Sequence, residues 1–341
     1  MAYTPDPTNA LQPTDDVKAS TAAAEFRALK AYLAQLAGLT PAMNGIVSIN
    51  GGQLAGLRNR IINGDMRVAQ RGTSGTLSLG YIVDRWLINT SGAAPTWSSS
   101  VSTPMGPYQY TSTLAVTGIA GNTGVNLIQR IESVNSRDLA GQTVTVSYYA
   151  YQSTGSSMNV TTALSYPNVA DTFTAQTLIG TSSGTVVPSG VFTKVTASFS
   201  VPNAAVTGLQ VSCFQNTPPL LGGQVMGLAN VQLELGSVAT QFEMRPIGME
   251  LAMCQRYYEV VSHTLSSGAY AASVTVAQWI QFAVPKRIVP TLVRITNGAT
   301  TNCSGGTSDL PSTNGFRTYV TSNAAGGCVL QGEVMSAVAE L

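Results

Sequence analysis

At 341 residues the chain is longer than a usual single domain, so two or three units are expected. Only 10% of its residues are charged, against roughly 25% in an ordinary soluble protein, and the formal net charge is +1. Such a chain has no long-range field for nucleic acid or anionic lipid, and none of its apolar runs nears the roughly 18 residues that cross a bilayer, so neither nucleic-acid binding nor membrane insertion is expected.

At the N-terminus, "MAYTPDPTNALQPTDD" has no basic region leading into an apolar one, so it does not read as a secretory signal, and folding in a cytosol is expected. Residues 14–37 read as a helix. Asp15 and Asp16 suit the positive end of the helix dipole, alanine dominates, and Pro41 stops continuation. Phe26, Leu29, Leu33 and Leu36 recur every three or four residues as one apolar stripe, which needs something to pack against. A short coiled coil, a docking helix, or a helix folded back on its own domain would each serve. Residues 41–58, with "NGIVSINGGQLAG", read as a linker with one brief strand.

From 59 to 245 the pattern changes to period two. In "VFTKVTASFSV", Val191, Thr193, Val195, Ala197, Phe199 and Val201 share one side, while Phe192, Lys194, Thr196, Ser198 and Ser200 share the other. "TVTVSYYAY" likewise sets Val144, Val146, Tyr148 and Ala150 against Thr143, Thr145, Ser147, Tyr149 and Tyr151. Many short alternating strands between Gly, Ser, Asn and Pro turns indicate an antiparallel sandwich of jelly-roll type. Residues 246–258 return to helical spacing after Pro246. Residues 259–341 read as a small C-terminal β domain, with a Gly/Ser/Thr/Asn-rich excursion around 297–315. The expected fold is mainly β: a jelly-roll β-sandwich with an N-terminal helix, a connecting helix and a C-terminal β domain. A β unit of about 80 residues exposes much of its core when alone, so it should associate with neighbours.

Charge concentrates in "NRIINGDMRVAQRG", residues 59–72, with Arg85 and Asp84 soon after. A phosphate cradle would want glycine-rich backbone amides at a helix N-terminus. Here Arg60, Arg67, Arg71 and Arg85 lie beside Asp65 and Asp84 in a stretch read as a strand carrying Ile62, Met66 and Val68. Ion pairs at a sandwich edge are the favoured reading.

Catalytic signals are weak. The single histidine, His263, cannot build a multi-histidine metal site. "GTSSG", residues 180–184, matches a nucleophile elbow centred on Ser182, but "TVVPSGVF" follows instead of a helix. Asp171 and Glu132 are a possible carboxylate pair with nothing to recommend them. Dinucleotide, P-loop, HExxH and EF-hand patterns do not occur. Cys213, Cys254, Cys303 and Cys328 form no CxxC pair and read as reduced structural thiols, although Cys303 and Cys328 could meet in the last β unit. A non-enzymatic protein without catalytic residues, metal or cofactor is expected.

"NRIINGDMRVAQRGTSGTLSLGYIVDRWLI", "LAGQTVTVSYYAYQS" and "LANVQLELGSVATQFEMRPIGMELAMCQRYYEV", in that order, resemble tailed-bacteriophage structural proteins of the tail-fibre and collar type, as does the closing "AVAEL". "ELAMCQRYYE" is the most specific block. The likeness spans about residues 55–341, and in that family the segment before it varies with the virion component it fastens to. The central region also resembles the jelly roll of carbohydrate-binding modules: Asn63, Gly64 and Asp65 match the opening, and Val144 to Tyr149 the centre. "ANVQLE" departs by placing Asn230 where those modules commonly carry an aspartate that helps hold a structural calcium. Asp65 also lacks an acidic neighbour, so calcium is not expected.

The resemblance implies a virion protein assembled in the host cytoplasm. It would attach through residues 1–40 to other proteins of the tail or head–tail region and adsorb to a host-surface glycan. Sugar recognition needs aromatic faces and neutral hydrogen-bonding groups, which makes Trp97, Tyr149, Tyr151, Trp279, Phe316 and Tyr319 the candidate ligand residues. A homo-oligomer, a trimer, would bury the N-terminal stripe and multiply weak contacts. The alternative is a purely structural joint or decoration protein that contacts only other virion proteins.

Overall fold

The computed structural model describes residues 48–49, 52–53, 57–102, 111–215 and 218–341. The helix read over 14–37, its stripe Phe26, Leu29, Leu33 and Leu36, and the attachment segment 1–40 lie outside the described residues. In the linker, β1 (Ser48–Ile49) and β2 (Gly52–Gln53) pair antiparallel, two short strands where one was expected.

The sandwich begins with β3 (Ser74–Thr76), β4 (Leu79–Tyr81), β5 (Leu87–Gly92), β6 (Thr96–Ser102) and β7 (Thr111–Thr117). It continues with β8 (Asn122–Ile131), β9 (Thr143–Gln152), β10 (Met158–Val169), β11 (Thr172–Thr181) and β12 (Thr185–Val187). Strands β13 (Thr193–Ser200), β14 (Leu209–Gln215) and β15 (Val225–Leu235) complete it. One sheet runs β11-β10-β14-β8-β5-β4, with β12 beside β10, and the other runs β13-β9-β15-β7-β6-β3. From β7 to β10, and again from β12 to β15, successive strands fall in opposite layers, which gives the jelly-roll path.

Alternation decides which side chains fill the gap. Val144, Val146, Tyr148 and Ala150 on β9 meet Val195, Ala197 and Phe199 on β13 in one continuous core. The outward Lys194, Thr196, Ser198 and Ser200 are exposed. These are the faces read from period two.

The opening segment departs from its reading. Residues 57–72 form an irregular strap rather than a strand. Asn63 and Met66 adopt left-handed φ angles of 57° and 56°. The Asn63 side chain brackets the turn, donating to the Val68 carbonyl at 2.8 Å and accepting from the Val68 N–H at 2.9 Å. Gln129 stands in for a strand partner: its side-chain oxygen accepts from the Ile62 N–H at 2.7 Å, and its side-chain NH2 donates to the Ile62 carbonyl at 2.8 Å. Met66 then enters the sandwich core, whereas Ile62 and Val68 join Cys254 and Tyr257 in a separate cluster.

After the sandwich, α1 (Ile247–Gln255) occupies the predicted helical stretch but stops before 258. A tight turn, with the Tyr257 N–H on the Cys254 carbonyl at 2.9 Å, leads into β16 (Tyr258–Tyr270). Next come β17 (Thr275–Gln281), β18 (Thr291–Thr296), β19 (Ala299–Thr301), β20 (Thr307–Asp309), β21 (Gly315–Thr321) and β22 (Gly326–Val338). They form a sheet β16-β22-β18 with β19 on β22, and a sheet β17-β21-β20. The excursion at 297–315 thus contains two short strands. Ile280, Phe282, Phe316, Met335 and Ala337 form one core cluster of this unit. Cys213, Cys254, Cys303 and Cys328 are buried free thiols, and Cys303 donates to the Val329 carbonyl at 3.1 Å.

The concentrated arginines lie at the seam between the two units. Arg71 meets Glu340 at 3.1 Å and stacks on Tyr258 with its guanidinium carbon 3.5 Å from the ring centre. Arg85 pairs with Glu340 and lies 3.6 Å over Tyr257. Arg130 and Tyr81 donate to the Leu341 carbonyl at 2.6 and 2.8 Å. Across the seam, Arg256 and Tyr257 hold Glu132 at 3.0 and 2.8 Å. These ion pairs are buried or half-buried between units, not at an edge, and so fix one unit on the other. Arg60 instead pairs with Asp138 at 2.6 Å, and Arg67 with Asp65.

Candidate functional site

Two of the six aromatic candidates point the wrong way. Trp97 on β6 faces the sandwich core, and Phe316 on β21 is buried against Phe282 at 5.7 Å. Strand parity turns both rings inward, where burial of large apolar area stabilises the fold and no face remains for a ligand. The other four form two outward groups, one on each unit.

On the C-terminal unit, Trp279 is 50% exposed and stands opposite Arg317. Arg317 pairs with Asp309 and lies 5.2 Å over Tyr319. This is a flat aromatic patch whose central cation already has its counter-charge.

On the sandwich, the outer faces of β13, β9 and β15 build a shelf and a cleft. Lys194 lies opposite Tyr149, and Tyr149 opposite Ala229. Tyr151 lies opposite Gly227 and packs on Phe192, ring centres 5.0 Å apart. A Cβ on Gly227 would stand 3.2 Å from both Thr113 and the Tyr151 Cβ, so the smallest residue keeps the floor under Tyr151 low.

Between Ala229 and Gln232 the register slips, and Asn230 takes a left-handed φ of 52°. This β-bulge re-aims a side chain. The strap holds it in place: the Val231 N–H donates to the Gly64 carbonyl at 2.8 Å, and Asn59 donates to the Val231 carbonyl at 3.0 Å. The return loop after β15 supplies the far wall. Glu234 fastens that loop by accepting from the Thr240 N–H at 2.8 Å and the Thr240 hydroxyl at 2.6 Å.

The result is a cleft of about 320 Å³ lined by Ser147, Tyr149, Lys194, Asn230, Thr240 and Gln241, among others. Asn230 is only 2% exposed, and among the described residues neither its amide oxygen nor its nitrogen has a hydrogen-bond partner. A buried amide that offers a donor and an acceptor to no protein group is costly, so its partner has to come from solvent or ligand. Beneath it the Tyr148 hydroxyl bonds Thr162 at 2.9 Å, and burial pushes its pKa well above the ordinary tyrosine value, so the floor stays neutral.

Two other clefts serve a ligand less well. One of about 320 Å³ on the opposite sheet is lined by Asn89, Ser91, Thr123, Asn126 and Gln215, polar groups without an aromatic ring. Another of about 130 Å³ at the seam, beside Arg60 and Tyr257, is too small for a sugar ring with its hydroxyls.

The remaining sequence candidates are structural. Ser182 follows β11 and precedes β12, and its hydroxyl accepts from the Thr162 N–H at 3.0 Å, so no strand–turn–helix elbow exists there. Asp171 accepts from the Ser133 N–H at 2.7 Å, while Glu132 belongs to the seam. His263 lies 3.1 Å from Glu333, which Arg294 also meets at 2.8 Å. Burial lowers the imidazole pKa despite the opposing pull of Glu333. Among the described residues no three His, Cys, Asp or Glu side chains gather as a metal site, and Asp65 is taken by Arg67.

Sequence reasoning placed Tyr149 and Tyr151 outward and grouped Lys194 with Phe192 on one face of their strand, but did not single out the last two as ligand residues. Their signal was the register that sets them beside the tyrosines. Asn230 was noticed only as a missing aspartate. Thr240 and Gln241 carry no local signal, because a return loop's path is set by distant contacts.

No protein-family model and no curated protein matches the chain. Among solved structures, a protein of Bacteroides thetaiotaomicron described as sugar-binding is 13% identical, with a TM-score of 0.37, over 52% of this chain and 100% of its own. A family 22 xylan-binding domain from Paenibacillus barcinonensis is 14% identical, with a TM-score of 0.31, over 54% and 100%. The family 22 and catalytic modules of a Clostridium thermocellum xylanase are 14% identical, with a TM-score of 0.29, over 51% and 30%. At these values the likenesses carry no argument, and the chemistry of the cleft rests on its own side chains.

Proposed function

We propose that this chain is a non-catalytic glycan-binding protein whose sandwich cleft holds a sugar, and that it serves as a bacteriophage appendage for host adsorption. The observation that carries the binding reading is the cleft of about 320 Å³ in which Tyr149 stands beside the unpartnered Asn230. A sugar has one apolar ring face and a rim of hydroxyls. Tyr149 offers a surface to the first, and Asn230, Thr240 and Ser147 offer donors and acceptors to the second. The patch around Trp279 is a second, shallower contact.

The virion role rests on the sequence likeness to tail-fibre and collar proteins. In that reading residues 1–40 attach to the tail or head–tail region, and a homotrimer multiplies weak sugar contacts into firm adsorption.

A glycan array and a whole-cell adsorption assay test the proposal together. Binding to host polysaccharide that falls at least tenfold in Tyr149→Ala, and less in Trp279→Ala, is the expected result. Absence of any glycan or cell binding by the oligomeric wild type overturns it and leaves a joint protein that touches only other virion proteins. Release of reducing ends from capsule would instead reveal a depolymerase.

A further inference from the structure

The cleft has a charge that the rest of its lining does not explain. Lys194 is exposed, lines the cleft opposite Tyr149, and pairs with no carboxylate among the described residues. Lysine is rare in this chain, and the other described one, Lys286, is treated differently. Its ammonium is buried against Glu259 and donates to the Gln255 and Val284 carbonyls at 2.6 and 2.7 Å.

Glu234, which fastens the cleft's return loop, cannot neutralise Lys194 without releasing that loop. The Glu234 carboxylate is 1% exposed and accepts from the Thr240 N–H, the Thr240 hydroxyl and the Gln232 amide. From the strap, Arg58 reaches the same loop by donating to the Gln241 carbonyl at 3.4 Å, and it too has no carboxylate partner among the described residues. The cleft therefore combines a neutral donor–acceptor pair at its base with uncompensated positive charge at its rim. This excess disfavours a metal cation and favours an anion.

Shape narrows the choice. A volume of about 320 Å³ closed on one side by the 239–242 loop suits the end of a chain better than the middle of one. Resting on the proposed glycan reading, we infer that the cleft recognises the terminal acidic sugar of a polysaccharide or glycan, one bearing a carboxylate. The carboxylate meets Lys194, the ring stacks on Tyr149, and two ring hydroxyls satisfy the oxygen and nitrogen of Asn230.

The test uses the full-length wild-type protein and an array of oligosaccharides ending in glucuronic, galacturonic or sialic acid, each paired with its carboxyl-reduced, neutral counterpart. The expected result is at least tenfold tighter binding of one acid-ended series than of its reduced twin, with the preference shrinking as salt rises. Lys194→Ala should remove that preference, so that the acid-ended series and its reduced twin bind alike. Asn230→Gly, which tolerates the left-handed backbone, should lower affinity for both. Equal binding of acidic and neutral ends overturns the inference while sparing glycan binding, as does an acid preference that survives Lys194→Ala. No binding to any member, acid or neutral, overturns both readings.

Discussion

The seam and the cleft handle polar groups in opposite ways. At the seam, Glu340 answers Arg71 and Arg85, Glu132 answers Arg256, and Tyr257 and Tyr258 cover two guanidinium faces. At the cleft, Asn230 is almost as buried, yet among the described residues neither end of its amide is met and no carboxylate pairs with the exposed Lys194. A set of charges paired within the chain holds two bodies together, even though Arg71 Nη1 and Arg85 Nε find no hydrogen-bond partner among the described residues. A set left incomplete at a surface opening is what a ligand can finish. Charge concentration in the sequence thus pointed to the first kind of site, and the second shows only as polarity without a partner.

The sharpest way to break the contrast is to remove an anion from the seam. Glu340→Ala leaves Arg85, only 1% exposed on its side chain, without its carboxylate. Burial opposes the Arg85 charge, and Glu340, Tyr257 and Tyr81 more than offset that cost by raising its pKa. An unpaired buried charge costs about 3–5 kcal/mol. The expected outcome is a loss of that size in the first denaturant transition, with new proteolytic cleavage between the units and an unaltered sandwich transition. Loss of both transitions together would show that the seam is part of one cooperative core.

Asp84 sharpens the same comparison through pH. It is buried, accepts from the Gln70 N–H and side-chain amide at 2.6 and 2.7 Å, and lies 3.9 Å from Arg71. Burial outweighs these partners and pushes its carboxyl up to about 6 from 3.8. The folded protein therefore binds this proton more tightly than the unfolded chain does. Its favourable contribution is complete below pH 3.8 and is lost as pH rises through about 6. A shift of that size is worth about 3 kcal/mol. The difference in unfolding free energy between wild type and Asp84→Asn should fall by that order from pH 4 to pH 7. A flat difference would mean that water reaches Asp84.

Legibility followed range. Alternation is local, so β9 and β13 could be read with their inward and outward faces correct. The strap at 59–72 could not, because Gln129 satisfies its backbone from another strand and left-handed Asn63 and Met66 break the period. Trp97 and Phe316 show the limit of composition: an aromatic residue type says nothing about which face of a strand it occupies. Tyr149 was legible as an outward ring. The bulge that aims Asn230 depends on Gly64 and Asn59, more than 160 residues earlier in the chain.

The smallest expected effect is also the most direct probe of the cleft. An unsatisfied buried polar group costs about 1–3 kcal/mol, and a non-glycine residue at a left-handed φ adds a further penalty. Asn230 carries both costs at once. In Asn230→Gly the orphaned amide disappears and the backbone strain relaxes, while the greater freedom of glycine in the unfolded chain takes back part of the gain. The net expectation is a stability increase of about 1 kcal/mol, read as a higher urea midpoint at unchanged slope. A position that folds better when altered is held by something other than folding, and ligand binding is the pressure the cleft chemistry supplies. A clear loss of stability in Asn230→Gly would show that the amide has a partner in solution and that the cleft is ordinary packing.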